Sequence, residues 1–189
     1  MGYYARGFTI VELLIVIIII AILTVISVVT YNGIQDRARA TAIISGIKTT
    51  EDAMRLALTT SGATEWWDDE DYLDDDDEPA LATLIEGTNL KNFMSEVPKV
   101  GGMTEDNSFW MYDNDGPEDD DDIYDPAVCP QSHRSGGVNI QIELRNNRHL
   151  AQRIDDVLDD GNLECGKFRE HHSNEGEFLW LLSANWREI

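Results

Sequence analysis

The polar positions of this chain are spaced in two ways: almost absent near the N-terminus, then regularly interleaved with apolar ones. In residues 8–29 only Thr9, Glu12, Thr24 and Ser27 interrupt a run of Phe, Ile, Val, Leu and Ala. About 22 residues at 1.5 Å rise make roughly 33 Å of helix, enough to cross the hydrocarbon core of a bilayer. Arg6 ahead of the run marks its cytoplasmic end. Further on, Ile34, Ala38, Ala42, Ile47, Met54 and Leu58 recur at near-helical spacing among Asp36, Arg37, Arg39, Lys48, Glu51, Asp52 and Arg55. That alternation predicts an amphipathic helix laid against a domain. Ser61-Gly62 is its stop signal. Asn32-Gly33 is its weakest point, since Gly is about 1 kcal/mol less favourable than Ala inside a helix. The prediction is one helix over residues 8–61, half membrane span and half spine.

The rest of the chain changes period. Residues 81–85 and 90–94 read as short helical turns separated by Gly87-Thr88-Asn89. Residues 108–112, 138–144 and 176–183 read as strands, with Val138, Ile140, Ile142 and Leu144 on one face. Leu150, Ile154, Val157 and Leu158 form one side of a short helix, stopped by Asp159-Asp160-Gly161-Asn162. The fold class is therefore α+β: a long N-terminal helix packed on a C-terminal antiparallel β-sheet head.

Three ordinary explanations of the N-terminus compete. A secretory signal has an apolar core of about 7–15 residues followed by a small-residue cleavage site, and this run is longer and lacks such a site. A plain membrane anchor explains the length but not Glu12, because a carboxylate one turn into lipid is costly unless paired. A buried core helix needs more protein around it than a domain of this size supplies.

Gly7-Phe8-Thr9-Ile10-Val11-Glu12-Leu13-Leu14 resembles the prepilin processing motif of bacterial type IV pilins and type II secretion pseudopilins. The resemblance implies cleavage between Gly7 and Phe8 by a prepilin peptidase that also methylates the new Phe8 amine. It places Glu12 at the fifth mature position, where the family carries its assembly glutamate. Residues 1–7 are then a leader, 8–30 the transmembrane and polymerisation helix, 31–61 the amphipathic spine, 62–79 an acidic loop and 80–189 the head. The family implies a subunit held in the cytoplasmic membrane, passed to an inner-membrane assembly platform and built with copies of itself and other pilins into an extracellular filament. Adhesion, motility or DNA uptake would belong to that filament. A minor pilin or a pseudopilin is the near alternative. An uncleaved single-pass protein with a calcium-binding or enzymatic ectodomain is the alternative of another class.

Pairing has a physical basis apart from the family. Cleavage leaves a free amine beside an apolar rod, and in a stack of rods the Phe8 amine of one copy reaches Glu12 of the next. Each charge offsets the other's desolvation, and a register slip strands both, as with a polar group in a coiled coil.

The formal net charge of -22, from 36 acidic and 14 basic residues, excludes nucleic-acid binding by charge attraction, which needs clustered Lys and Arg. It also disfavours docking on anionic lipid. The acid is concentrated in residues 68–78 and 113–125, which predicts solvated loops splayed outward. Asp113, Asp115, Gly116 and Asp122 fall at positions 3, 5, 6 and 12 of an EF-hand frame, but Met111 stands at position 1; bound Ca²⁺ is the only cofactor in view. Asp155, Asp156, Asp159 and Asp160 near Gly161 form another acidic group. Cys129 and Cys165 are the two cysteines. Outside the membrane, oxidising conditions favour their pairing, and the loop between them resembles the pilin family's disulfide-bounded C-terminal region; two buried thiols are the alternative. Trp66-Trp67 is suited equally to a membrane interface and to a core. No nucleophile–base pair or phosphate loop appears in a supporting context, so catalysis is not expected.

Overall fold

The computed structural model describes residues 8–68, 81–99, 110–114, 137–144, 147–171, 176–185 and 189. The chain divides into two compact units, Met1–Ala38 and Arg39–Ile189. One element enters both: helix α1 spans Ile10–Ser61, 52 residues. Gly33 is helical, and nothing lies within 4 Å of where its Cβ would stand. Inside the apolar half, the Thr24 and Ser27 hydroxyls donate to the carbonyls of Ile20 and Leu23, each at 2.8 Å. Both are thus satisfied within the helix, as lipid requires. At the other end Gly62 adopts φ +72°. Its N–H donates to Thr59 O, and the Ala63 N–H donates to Leu58 O at 3.1 Å. This pair of bonds is a Schellman cap, and it supplies the predicted stop.

In the second unit the remaining elements are α2 (Leu81–Gly87), a 3₁₀ turn (Asn89–Asn92), β1 (Trp110–Asn114), β2 (Val138–Glu143), α3 (Arg148–Leu158), β3 (Phe168–Glu170) and β4 (Glu177–Ser183). The four strands form one sheet in the order β1-β2-β4-β3, antiparallel throughout. The α+β class and helix-on-sheet packing agree with the sequence pattern.

The buried face of α1 is phased differently from the predicted stripe. Ala40, Ile43, Ile47, Thr50, Met54, Ala57 and Leu58 are buried, while Ile34, Ala38 and Ala42 are exposed. Alanine favours helix whichever way it faces, so it carries little information about phase. The spine also docks through polar bonds. Glu51 Oε2 accepts from Trp180 Nε1 at 2.9 Å, and Glu51 Oε1 accepts from Arg55 Nε at 3.1 Å. Arg55 Nη2 donates to Leu182 O, and its guanidinium lies 5.4 Å over the Trp66 ring. Trp66 is therefore core, and Trp67 packs edge-on against Tyr112 with ring centroids 6.3 Å apart.

Both faces of the sheet are buried. Ile140, Ile142, Phe178 and Trp180 join the core with α1, while Asn139, Gln141, Leu179 and Leu181 are buried on the opposite side. There Asn139 Oδ1 accepts from Arg169 Nη2 at 2.9 Å, and Asn139 Nδ2 donates to Gly137 O and to Asp113 Oδ2.

Gly46 of α1 lies against Trp110 of β1. A Cβ at this position would stand 2.9 Å from Trp110 Cη2 and 3.0 Å from Pro98 Cβ. Gly46→Val is expected to destabilise the head by about 1–3 kcal/mol through overpacking, read as a lower melting temperature of the detergent-solubilised chain; an unchanged melting temperature would show that the spine and sheet are not in tight contact there.

Candidate functional site

The N-terminal segment starts with Phe8, 79% exposed, and Thr9 as the residue before α1. Thr9 Oγ1 accepts from the Glu12 N–H at 3.2 Å. In return, Glu12 Oε2 accepts from the Thr9 N–H at 2.8 Å and from Thr9 Oγ1 at 2.9 Å. This is a capping box, two groups at a helix start satisfying each other's backbone donors. A carboxylate there also faces the positive end of the helix dipole. Thr-x-x-Glu before an apolar run is the sequence signal for this cap, and it is independent of the charge argument for Glu12. Thr9 and Glu12 both lie C-terminal to the Gly7–Phe8 bond, so cleavage there leaves the cap whole.

Behind the cap, Ile10–Ser27 has a mean hydropathy of 3.2, and none of it is buried by the chain itself. A continuous apolar surface of this size requires lipid or another protein around it.

Of the other predicted site residues, Gly7, Asp115, Asp122 and Cys129 lie outside the described residues. Asp113 sits on β1 opposite Asn139, within the sheet's hydrogen-bond network. The EF-hand frame would need residues 111–114 in a loop, and they are strand. Cys165 is half-buried between α3 and β3, its N–H donating to Asn162 O at 2.9 Å.

The acidic group after α3 is more ordered than a solvated run. Asn147 caps the start of α3 by accepting from the Leu150 N–H. At the other end Asp159 Oδ2 accepts from the backbone N–H groups of Lys167 and Phe168. Asp160 Oδ1 accepts from the Asn162 N–H at 2.8 Å, and Gln152 Nε2 donates to Gly161 O at 2.7 Å. Gly166, at φ +101°, leaves no space for a side chain beside the Asp159 carboxylate. Asp155 is fully buried on the α3 face that carries Ala151 and Ile154, and neither of its carboxylate oxygens has a hydrogen-bond partner. Burial first, then the charges of Asp159, Asp160 and Asp156, push its pKa up to about 7. The Gly161 N–H acts in the opposite sense without completing a hydrogen bond.

Together these features define a membrane-anchored α+β protein: a capped apolar N-terminal helix continuing into the spine of a sheet domain. Residues 3–28 match the family model described as the prokaryotic N-terminal methylation motif, and the chain thus carries the type IV pilin-like signature at its N-terminus. That signature supports a type IV pilin-like or pseudopilin protein, and it marks a structural protein family. It implies processing by a prepilin peptidase and assembly with other pilins. No curated protein and no solved structure matches the chain.

Two outcomes follow from this geometry. Thr9→Ala removes one side of the cap and should cost about 1 kcal/mol of helix-start stability, seen as faster amide exchange over residues 10–13 with the rest of α1 unchanged. For Asp155, the folded pKa near 7 exceeds the ordinary 3.8, so the folded state holds more protons between these values. Stability then falls as pH rises from about 4 to 7, by up to roughly 1.4 kcal/mol per unit. In metal-free buffer Asp155→Asn should raise the melting temperature at pH 8 and leave it near the parent value at pH 4; equal effects at both pH values would contradict this.

Proposed function

We propose that the chain is the structural subunit of a type IV pilus filament, held in the cytoplasmic membrane until Gly7–Phe8 cleavage and then built into an extracellular polymer through its N-terminal helix. The observation that carries this reading is the single carboxylate, Glu12, at the head of an otherwise apolar helix that the chain itself leaves uncovered, within the matched methylation motif. Before assembly Glu12 caps its own helix through Thr9. In the filament the methylated Phe8 amine of an adjoining copy takes the carboxylate, and the apolar surfaces supply affinity at about 25 cal/mol per Å² removed from water. Glu12 then sets the register between copies, since displacement by one residue leaves both charges unpaired. Cys129 and Cys165 are joined as a disulfide that closes the C-terminal part of the head, stabilising it by roughly 3–4 kcal/mol in the chain-entropy model.

Mass spectrometry of the cellular protein tests processing. The expected mass lacks residues 1–7, carries one added methyl group and shows two fewer hydrogens than the dithiol; a chain retaining Met1 would instead support an uncleaved single-pass protein. Recovery in sheared surface filaments separates a major subunit from a minor pilin or pseudopilin. Three variants isolate the role of Glu12. Glu12→Gln can keep the cap, since Gln also serves in a capping box, but loses the charge. Glu12→Leu loses both, and Thr9→Ala loses mainly the cap. Filament yield should fall at least tenfold in both Glu12 variants and little in Thr9→Ala, with cleavage intact in all three. Normal yield from Glu12→Gln would reject the charge-pairing mechanism.

A further inference from the structure

The acidic group at the end of α3 is separate from the N-terminal segment and is not needed for its chemistry. One carboxylate oxygen each from Asp155, Asp159 and Asp160 lie within 4.8 Å of one another. Acidic side chains converge on many surfaces without consequence, but Asp155 is different in kind. It is fully buried, no hydrogen bond to either of its oxygens is completed although the Gly161 N–H lies close by, and it is one of the three that converge. A buried carboxylate without a partner is strongly disfavoured. Among the described residues no basic side chain reaches it.

We propose that Asp155, Asp159 and Asp160 form a Ca²⁺ site at the C-terminal end of α3. The chemistry is that of a hard cation with oxygen ligands. Two oxygens on one Ca²⁺ can be separated by up to about 5.2 Å, twice a 2.6 Å bond, whereas around Mg²⁺ the limit is near 4.2 Å. The three oxygens, all within 4.8 Å of one another, fall inside the Ca²⁺ limit, and the flexible coordination of Ca²⁺, against the strict octahedron of Mg²⁺, suits carboxylates already fixed by the fold. The negative end of the helix dipole adds attraction for a cation. The Asp159 carboxylate is already oriented by the backbone N–H groups of Lys167 and Phe168, and Asp160 is exposed, leaving an open side where water can complete the coordination shell. The ion would tie the end of α3 to the loop that leads through Cys165 to β3.

The test is calorimetric titration of the full-length chain in detergent with CaCl₂ and, separately, MgCl₂, at about 0.15 M salt to suppress diffuse attraction. The melting temperature is measured alongside. One saturable event per chain is expected with Ca²⁺, with a dissociation constant on the order of 0.1–1 mM as in extracellular modules, a higher melting temperature, and weaker binding of Mg²⁺. Asp155→Asn and Asp160→Asn should each weaken Ca²⁺ at least tenfold, while Asp68→Asn, in the other acidic run, leaves it unchanged. Asp160 is exposed, so its variant serves should Asp155→Asn fail to fold. Absence of saturable heat and of a melting shift overturns the site, as does an equal response in the Asp68 and Asp160 variants.

Discussion

Every backbone N–H and C=O in hydrocarbon must find its partner inside the chain. For the first half of α1 this leaves helix as the one solution. A 52-residue helix then carries the solution out of the apolar segment and into the head, where the same ladder of bonds has a second task. From Ala40 to Leu58 its side chains fill one side of the core, and Glu51 and Arg55 tie it to Trp180 and the Leu182 carbonyl. The helix is continuous from Ile10 to Ser61. Its ends are therefore where the sequence spends its special residues: a Thr9–Glu12 capping box at the start and the Gly62 Schellman cap at the finish.

How much of this is legible without coordinates depends on the range of the interaction involved. The span of Ile10–Ser27, the stop at Ser61-Gly62, the short helix α3 and the alternation of β2 and β4 all rest on local periodicity or local turn chemistry, and all are found where the pattern places them, except that Val157 of α3's apolar side is exposed. The phase of the spine is not, because Ala38 and Ala42 are apolar without needing burial, and because Gly46 is buried for reasons that lie in Trp110, far away in sequence. β3 has three residues, too few to display a period. The second face of the sheet escapes for another reason: Asn139, Gln141 and Arg169 read as solvent-facing by polarity, yet they are buried, and Asn139 Oδ1 accepts from Arg169 Nη2 at 2.9 Å. Polar pairing across strands carries no signature that a single strand's pattern can reveal.

The two carboxylates that matter most, Glu12 and Asp155, show the same physics with opposite local solutions. Glu12 begins a helix in apolar surroundings and receives two donors from Thr9, so the isolated chain tolerates it. A partner that takes it over must offer more than those two bonds, and a cationic amine does, since it adds charge to hydrogen bonding. Asp155 is enclosed by its own fold, gathers Asp159 and Asp160 beside it and has no completed hydrogen bond to either oxygen. Among the described residues no base is paired with it, so its raised pKa lets a proton neutralise it, and the Ca²⁺ proposed above would do the same. The proton is available only near the raised pKa of about 7 and below; a divalent cation remains available above it. The residue thus connects the acidity of the whole chain to the stability of one loop, and it does so at the point where α3 is joined to the sheet.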